Sequence, residues 1–105
     1  MGNIAFLLAA ASAGAYQPQP LVALSTDKSL NAFGSCFVQA QEQAGQAWAF
    51  AAANDGGSFT NEGARGVSAA YRLQISSSES GNRLRLYAVR SVDGTALVKA
   101  INRCR

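Results

Sequence analysis

Between Leu30 and Ala44 the apolar residues fall at steps of three and four: Leu30, Phe33, Phe37, Ala40 and Ala44. That spacing gathers them into one stripe of an α-helix, with Gln39, Gln41, Glu42 and Gln43 on the other sides. The pattern predicts a helix from about Asp27 to Ala44. Ser25 or Thr26 can cap its free N–H groups, Asp27 suits the positive end of its dipole, and Gly45 offers a left-handed stop. Gly34 weakens the helix by about 1 kcal/mol relative to alanine but lets a neighbour approach closely. Cys36 sits on the border of the stripe.

The rest of the chain reads as strands and turns. Leu21–Leu24 is either a first edge strand or an apolar lead-in to the helix. Gln46–Ala53 is apolar and aromatic and meets the turn signal Asn54–Gly57, from which Ser58–Asn61 returns as a short, weak strand. Glu62–Gly66 is loop. Over Val67–Ser76, Tyr71, Leu73 and Ile75 alternate with Arg72 and Gln74; Ser77–Asn82 is a polar connection; over Arg83–Val92, Leu84, Leu86 and Ala88 alternate with Arg83, Arg85 and Tyr87. Such alternation marks half-buried strands. Asp93-Gly94 is a hairpin signal, and Thr95–Cys104 is read as the closing strand. Its alternation sets Ala96, Val98, Ala100 and Cys104 towards the helix and Leu97, Lys99, Ile101 and Arg103 outwards. The expected fold is a two-layer α+β domain, one main helix packed on a three- to four-stranded antiparallel meander.

The amino terminus changes the expected location. An apolar run from Ile4 to Ala11 leads into Ala13-Gly14-Ala15, the small-residue pattern of a signal peptide cleaved after Ala15. No Lys or Arg precedes the run, so the competing reading is a short helix retained on the mature protein. Ile4–Ala15 is too short for a span, which needs roughly 20 residues. Residues 16–25, with Pro18 and Pro20, form a linker or edge segment, and 26–105 a single domain. The expected location is periplasmic or extracellular.

Two cysteines in such a setting suggest a bridge between Cys36 on the helix and Cys104 on the last strand. There is no C-x-x-C spacing, and two cysteines without histidine fall short of a zinc site. No cofactor or metal is expected.

Charge narrows the candidate surfaces. The 105 residues are 14% charged and carry a net +3, too little to demand a polyanion. The charge is segregated, however. Residues 1–64 hold Lys28 against four carboxylates; residues 65–105 hold seven arginines and Lys99 against two. Most of these cations fall on the outer sheet face of the expected fold, where Arg72, Arg83, Arg85, Lys99 and Arg103 surround Tyr87, Leu97 and Ile101. Guanidinium forks suit phosphate and carboxylate, so this face is either an anion- or partner-binding surface or simply a solvated one. Nucleic acid is disfavoured, because one tyrosine is a thin stacking platform. A second candidate is the loop bearing Asp55, Thr60, Glu62 and Arg65; Trp48 is either a core anchor or a ligand-stacking group.

The chain has no histidine, no G-x-S-x-G and no H-E-x-x-H, so the common routes to a catalytic base, nucleophile or metal are missing. The sequence therefore points to an exported, non-catalytic binding module that meets a protein or an anionic envelope component. The alternative is a structural or assembly subunit that keeps its apolar N-terminal segment.

Overall fold

The structure is a computed structural model and describes residues 16–61, 71–89 and 94–105. The expected signal segment and the loop residues Glu62 and Arg65 lie outside the described residues, as does Asp93 of the expected last hairpin.

The described residues form five strands and two helices, in the order β1 (Val22–Thr26), α1 (Leu30–Gln43), β2 (Ala49–Ala53), β3 (Gly56–Asn61), β4 (Tyr71–Ser78), β5 (Gly81–Ala88) and α2 (Thr95–Cys104). The strands form one antiparallel sheet with the order β1-β5-β4-β3-β2. The chain thus enters at one edge and crosses to the other along α1. It then returns strand by strand until β5 lies beside β1. The α+β class holds, with five strands in place of the expected three or four. The extra strand is β1, the edge-strand reading of the segment around Leu21–Leu24. No described helix is long and apolar enough to cross a membrane.

Helix α1 starts later than the sequence suggests. Ser29, not Ser25 or Thr26, is its N-cap and accepts from the Ala32 N–H at 3.1 Å. Thr26 belongs to β1, and its hydroxyl oxygen accepts from the Lys28 N–H instead. The C-terminus ends as expected at Gly45, whose φ is 80°. Gln46 N–H bonds back to Gln41 O and Gly45 N–H to Glu42 O, the paired closure of a Schellman motif. The buried face is Phe33, Gly34, Phe37 and Gln41. At Gly34 an added Cβ would lie 3.1 Å from the tip of the Phe59 ring, so the missing side chain sets how closely β3 packs on the helix.

Strands β4 and β5 carry the centre of the core. Leu73 pairs with Leu86 and Ile75 with Leu84, all facing α1 and all buried. The two-residue turn Glu79–Ser80 joins them, with Gly81 at φ 137°. A side chain there would meet Thr26 O at 2.2 Å, so the position needs glycine for both conformation and space.

The closing segment corrects the sequence reading. Thr95–Cys104 is a helix, not a strand. Its buried residues are Leu97, Ile101 and Cys104, at steps of four and three. Leu97 and Ile101, expected outside, are core, while Ala96 is exposed and Val98 and Ala100 are half-buried. Burying Leu97 and Ile101 is worth roughly 1.5–3 kcal/mol each, which the strand register would have forfeited. Gly94 is then the N-cap of α2, with no side-chain cap bond, rather than half of a hairpin turn.

Cys36 and Cys104 are bonded, with their Cα atoms 5.6 Å apart and a sequence separation of 68. The bridge therefore ties helix to helix, not helix to last strand. It is consistent with an oxidising, exported compartment.

Candidate functional site

The outer sheet face can be read row by row from the strand register. One row runs Ser25, Arg83, Ser76; the next Ala23, Arg85, Gln74, Ser58, Ala51; the third Tyr87, Arg72, Thr60, Ala49. None of these residues carries a carboxylate. Arg72, Arg83, Arg85 and Tyr87 therefore share a face, as the alternation implies, but they divide into two groups.

Arg72 and Tyr87 form an aromatic stack with Tyr16. The Arg72 guanidinium carbon lies 5.0 Å from the centre of the Tyr16 ring and 5.6 Å from that of Tyr87. Tyr16 is held in place by donating its hydroxyl to Tyr71 O at 3.4 Å, and Gln17 N–H bonds Ala88 O at 2.8 Å. The Arg72 Nε is buried without a hydrogen-bond partner. Placed over both rings, Arg72 works as a cation–π clasp that helps hold residue 16 on the sheet.

Arg83 and Arg85 stand apart from that stack, next to β1. Here the structure adds a residue that the sequence reading left out, Arg105. Helix α2 brings the tail back to β1, where Thr26 donates its hydroxyl to Arg105 O at 3.1 Å. The Arg105 side chain is fixed twice, from Nε to Asn102 Oδ1 at 2.7 Å and from its guanidinium to Ser25 O at 3.1 Å. Arg83, Arg85 and Arg105 thus line one groove of about 450 Å³ with Ala23, Leu24 and Ser25. Neither Arg83 nor Arg85 has a hydrogen-bond or ion-pair partner among the described residues. Three guanidinium groups with free donors around one groove can take a phosphate or carboxylate by forked hydrogen bonds.

Lys99 and Arg103 do not join this face. Because α2 is a helix, they project one turn apart on the far side of the domain. There they border a cleft of about 480 Å³ with Trp48, Asn61 and Tyr71. That corrects their expected place beside Arg83 and Arg85. Trp48 is a core anchor in this region: it packs edge-on against Phe37, 5.0 Å between ring centres, and donates Nε1–H to Gln41 Oε1 at 3.0 Å. Asn61 Nδ2 donates to Gln46 Oε1 at 3.1 Å, so the amides at this end of the sheet hold one another.

Of the Asp55–Arg65 candidate, only Asp55 and Thr60 belong to the described residues. Asp55 sits in the β2–β3 turn, its carbonyl accepting from Ser77 N–H, while Thr60 lies on the outer face. No group of three or more His, Cys, Asp or Glu among the described residues could hold a metal.

Arg105 was hidden because its place depends on α2. The available signal was the step of four and three that joins Leu97, Ile101 and Cys104. Comparison of the chain with family models, curated proteins and solved structures finds no match.

Proposed function

We propose that this protein is a non-catalytic binding module of an exported compartment, periplasmic or extracellular. Its partner is an anionic envelope component or an acidic protein surface, gripped in the groove of Arg83, Arg85 and Arg105. One observation carries the reading: Arg83, Arg85 and Arg105 line one groove beside β1, and Arg83 and Arg85 have no partner among the described residues. Arginine is costly to order without a purpose, since each side chain loses up to roughly 2 kcal/mol of rotamer freedom when fixed. Arg105 is nevertheless fixed, by Asn102 and Ser25, in a pose that lines the groove. The disulfide supports the oxidising location, and the segregation of arginine into residues 65–105 supports an anionic partner.

The test uses two probes, immobilised heparin and vesicles containing phosphatidylglycerol. The wild-type protein should bind at least one of them, and raising salt from about 50 to 500 mM should abolish binding, as screening of exposed charges demands. An R83S/R85S variant should lose at least ten-fold in affinity while K99S/R103S keeps it. Equal binding by R83S/R85S and wild type would refute the assignment of the groove.

A further inference from the structure

Strand β2 is the sheet edge opposite β1, and the two edges differ. The β1 edge is flanked by Arg83 and Arg85 and crossed by Arg105, whose guanidinium bonds Ser25 O. Charged side chains of that kind protect an edge from pairing with another strand. The β2 edge, Ala49-Phe50-Ala51-Ala52-Ala53, has no charge and no proline, and all five of its residues are exposed. Among the described residues no strand covers its outer side.

We propose that β2 is a self-pairing edge. Two copies of the chain join β2 to β2 in antiparallel fashion, about a two-fold axis at Ala51, so that two five-stranded sheets become one. The register follows from the hairpin. The two-residue turn Asn54–Asp55 makes Ala53 and Gly56 a hydrogen-bonded pair, and an antiparallel ladder alternates from there. Ala51 and Ala49 therefore turn their main-chain groups towards β3, while Phe50 and Ala52 turn theirs outwards. Centring the axis on Ala51 sets Phe50 of one copy opposite Ala52 of the second. That single register engages all of these outward N–H and C=O groups.

Side chains fit the same register. On the face towards α1 it places each Phe50 against an alanine, a large group beside a small one. On the outer face only Ala49, Ala51 and Ala53 meet. The Phe50 ring is already positioned: it covers Gly57, where a Cβ would fall 2.4 Å from the ring, and its centre is 4.8 Å from that of Phe59. It nevertheless remains 46% exposed. Beside it runs an open groove of about 550 Å³, walled by Leu30, Gly34 and Val38 of α1, with Glu42 as its one charged lining residue. A second β2 edge can therefore approach without burying an unpaired charge near the axis.

The area sets the strength. Phe50 has roughly 90 Å² left to bury. With the four alanines and the groove wall, the pair buries on the order of 800 Å² in all, below the roughly 1,200–2,000 Å² of a stable interface. The dimer is accordingly weak and concentration-dependent.

The test is sedimentation velocity of the oxidised protein from about 10 µM to 1 mM. The wild type should shift from monomer to dimer over that range, at low and high salt alike and equally in R83S/R85S. A51K sets two lysines together at the axis, and A52P removes an N–H that the monomer does not use. Both should stay monomeric while keeping the wild-type circular dichroism. A wild type that is monomeric at 1 mM, or a dimer that survives both substitutions, would overturn the proposal.

Discussion

Replacing both cysteines with alanine, C36A/C104A, removes the tie between α1 and α2 without leaving a lone thiol. The bond separates residues 68 apart, and by the chain-entropy argument closing such a loop costs the unfolded state about 4 kcal/mol. Domains of this size are stable by only about 5–15 kcal/mol in total, so the loss is a large fraction. With a urea slope of about 1.3 kcal/mol/M, the unfolding midpoint should fall by about 3 M. The assay is equilibrium urea unfolding of the oxidised wild type and the double variant, followed by Trp48 fluorescence, since Trp48 packs on Phe37 beneath the α1 C-terminus. A loss below about 1 kcal/mol would mean that Leu97 and Ile101 alone dock α2, and the covalent clamp would have no role in stability.

Three further outcomes follow from named positions. Ile101→Ala should cost 2–5 kcal/mol and Lys99→Ala less than about 0.5 kcal/mol in the same assay, because Ile101 is fully buried and Lys99 exposed in α2. Gly81→Ala should destabilise by about 2 kcal/mol or more, since it adds a Cβ at φ 137° against Thr26 O; a neutral result would contradict the β4–β5 turn geometry. Arg72→Ala should release Tyr16 from the sheet, visible as loss of ring-current shifts at Tyr16 and Tyr87, and cost about 1 kcal/mol. Binding to heparin or anionic vesicles should be unchanged in that variant.

Much of this architecture is legible in the sequence where one period dominates. In β4 and β5 strict alternation separates Leu73, Ile75, Leu84, Leu86 and Ala88 from Arg72, Gln74, Arg83, Arg85 and Tyr87, and the structure keeps that division. Helix α1 is equally plain, because Phe33 and Phe37 repeat at four and Gly45 ends it. Strand β3 is hard to read: Gly56-Gly57-Ser58-Phe59-Thr60-Asn61 has weak strand preference and is held by its neighbours on both sides. Helix α2 is ambiguous in the sequence because its residues satisfy two periods at once. Alternation groups Ala96, Val98, Ala100 and Cys104, while steps of four and three group Leu97, Ile101 and Cys104. The larger apolar side chains decide between them, since burying leucine and isoleucine outweighs burying alanine. Cys104 points inward under either period, which is why the Cys36–Cys104 pair was legible although its element was not. The same ambiguity places Lys99 and Arg103 on the outer face and conceals Arg105.

The central claim is that Arg83, Arg85 and Arg105 act together on one anionic group. It is tested most directly by following the arginine Nε–H resonances while the protein is titrated with inorganic phosphate and with a phosphatidylglycerol headgroup analogue. The account predicts that Arg83, Arg85 and Arg105 move together with one saturation curve, while Arg72 and Arg103 stay still. Saturable shifts at Arg103 without shifts at Arg83 and Arg85, or no saturable shift at any of the three, would contradict it.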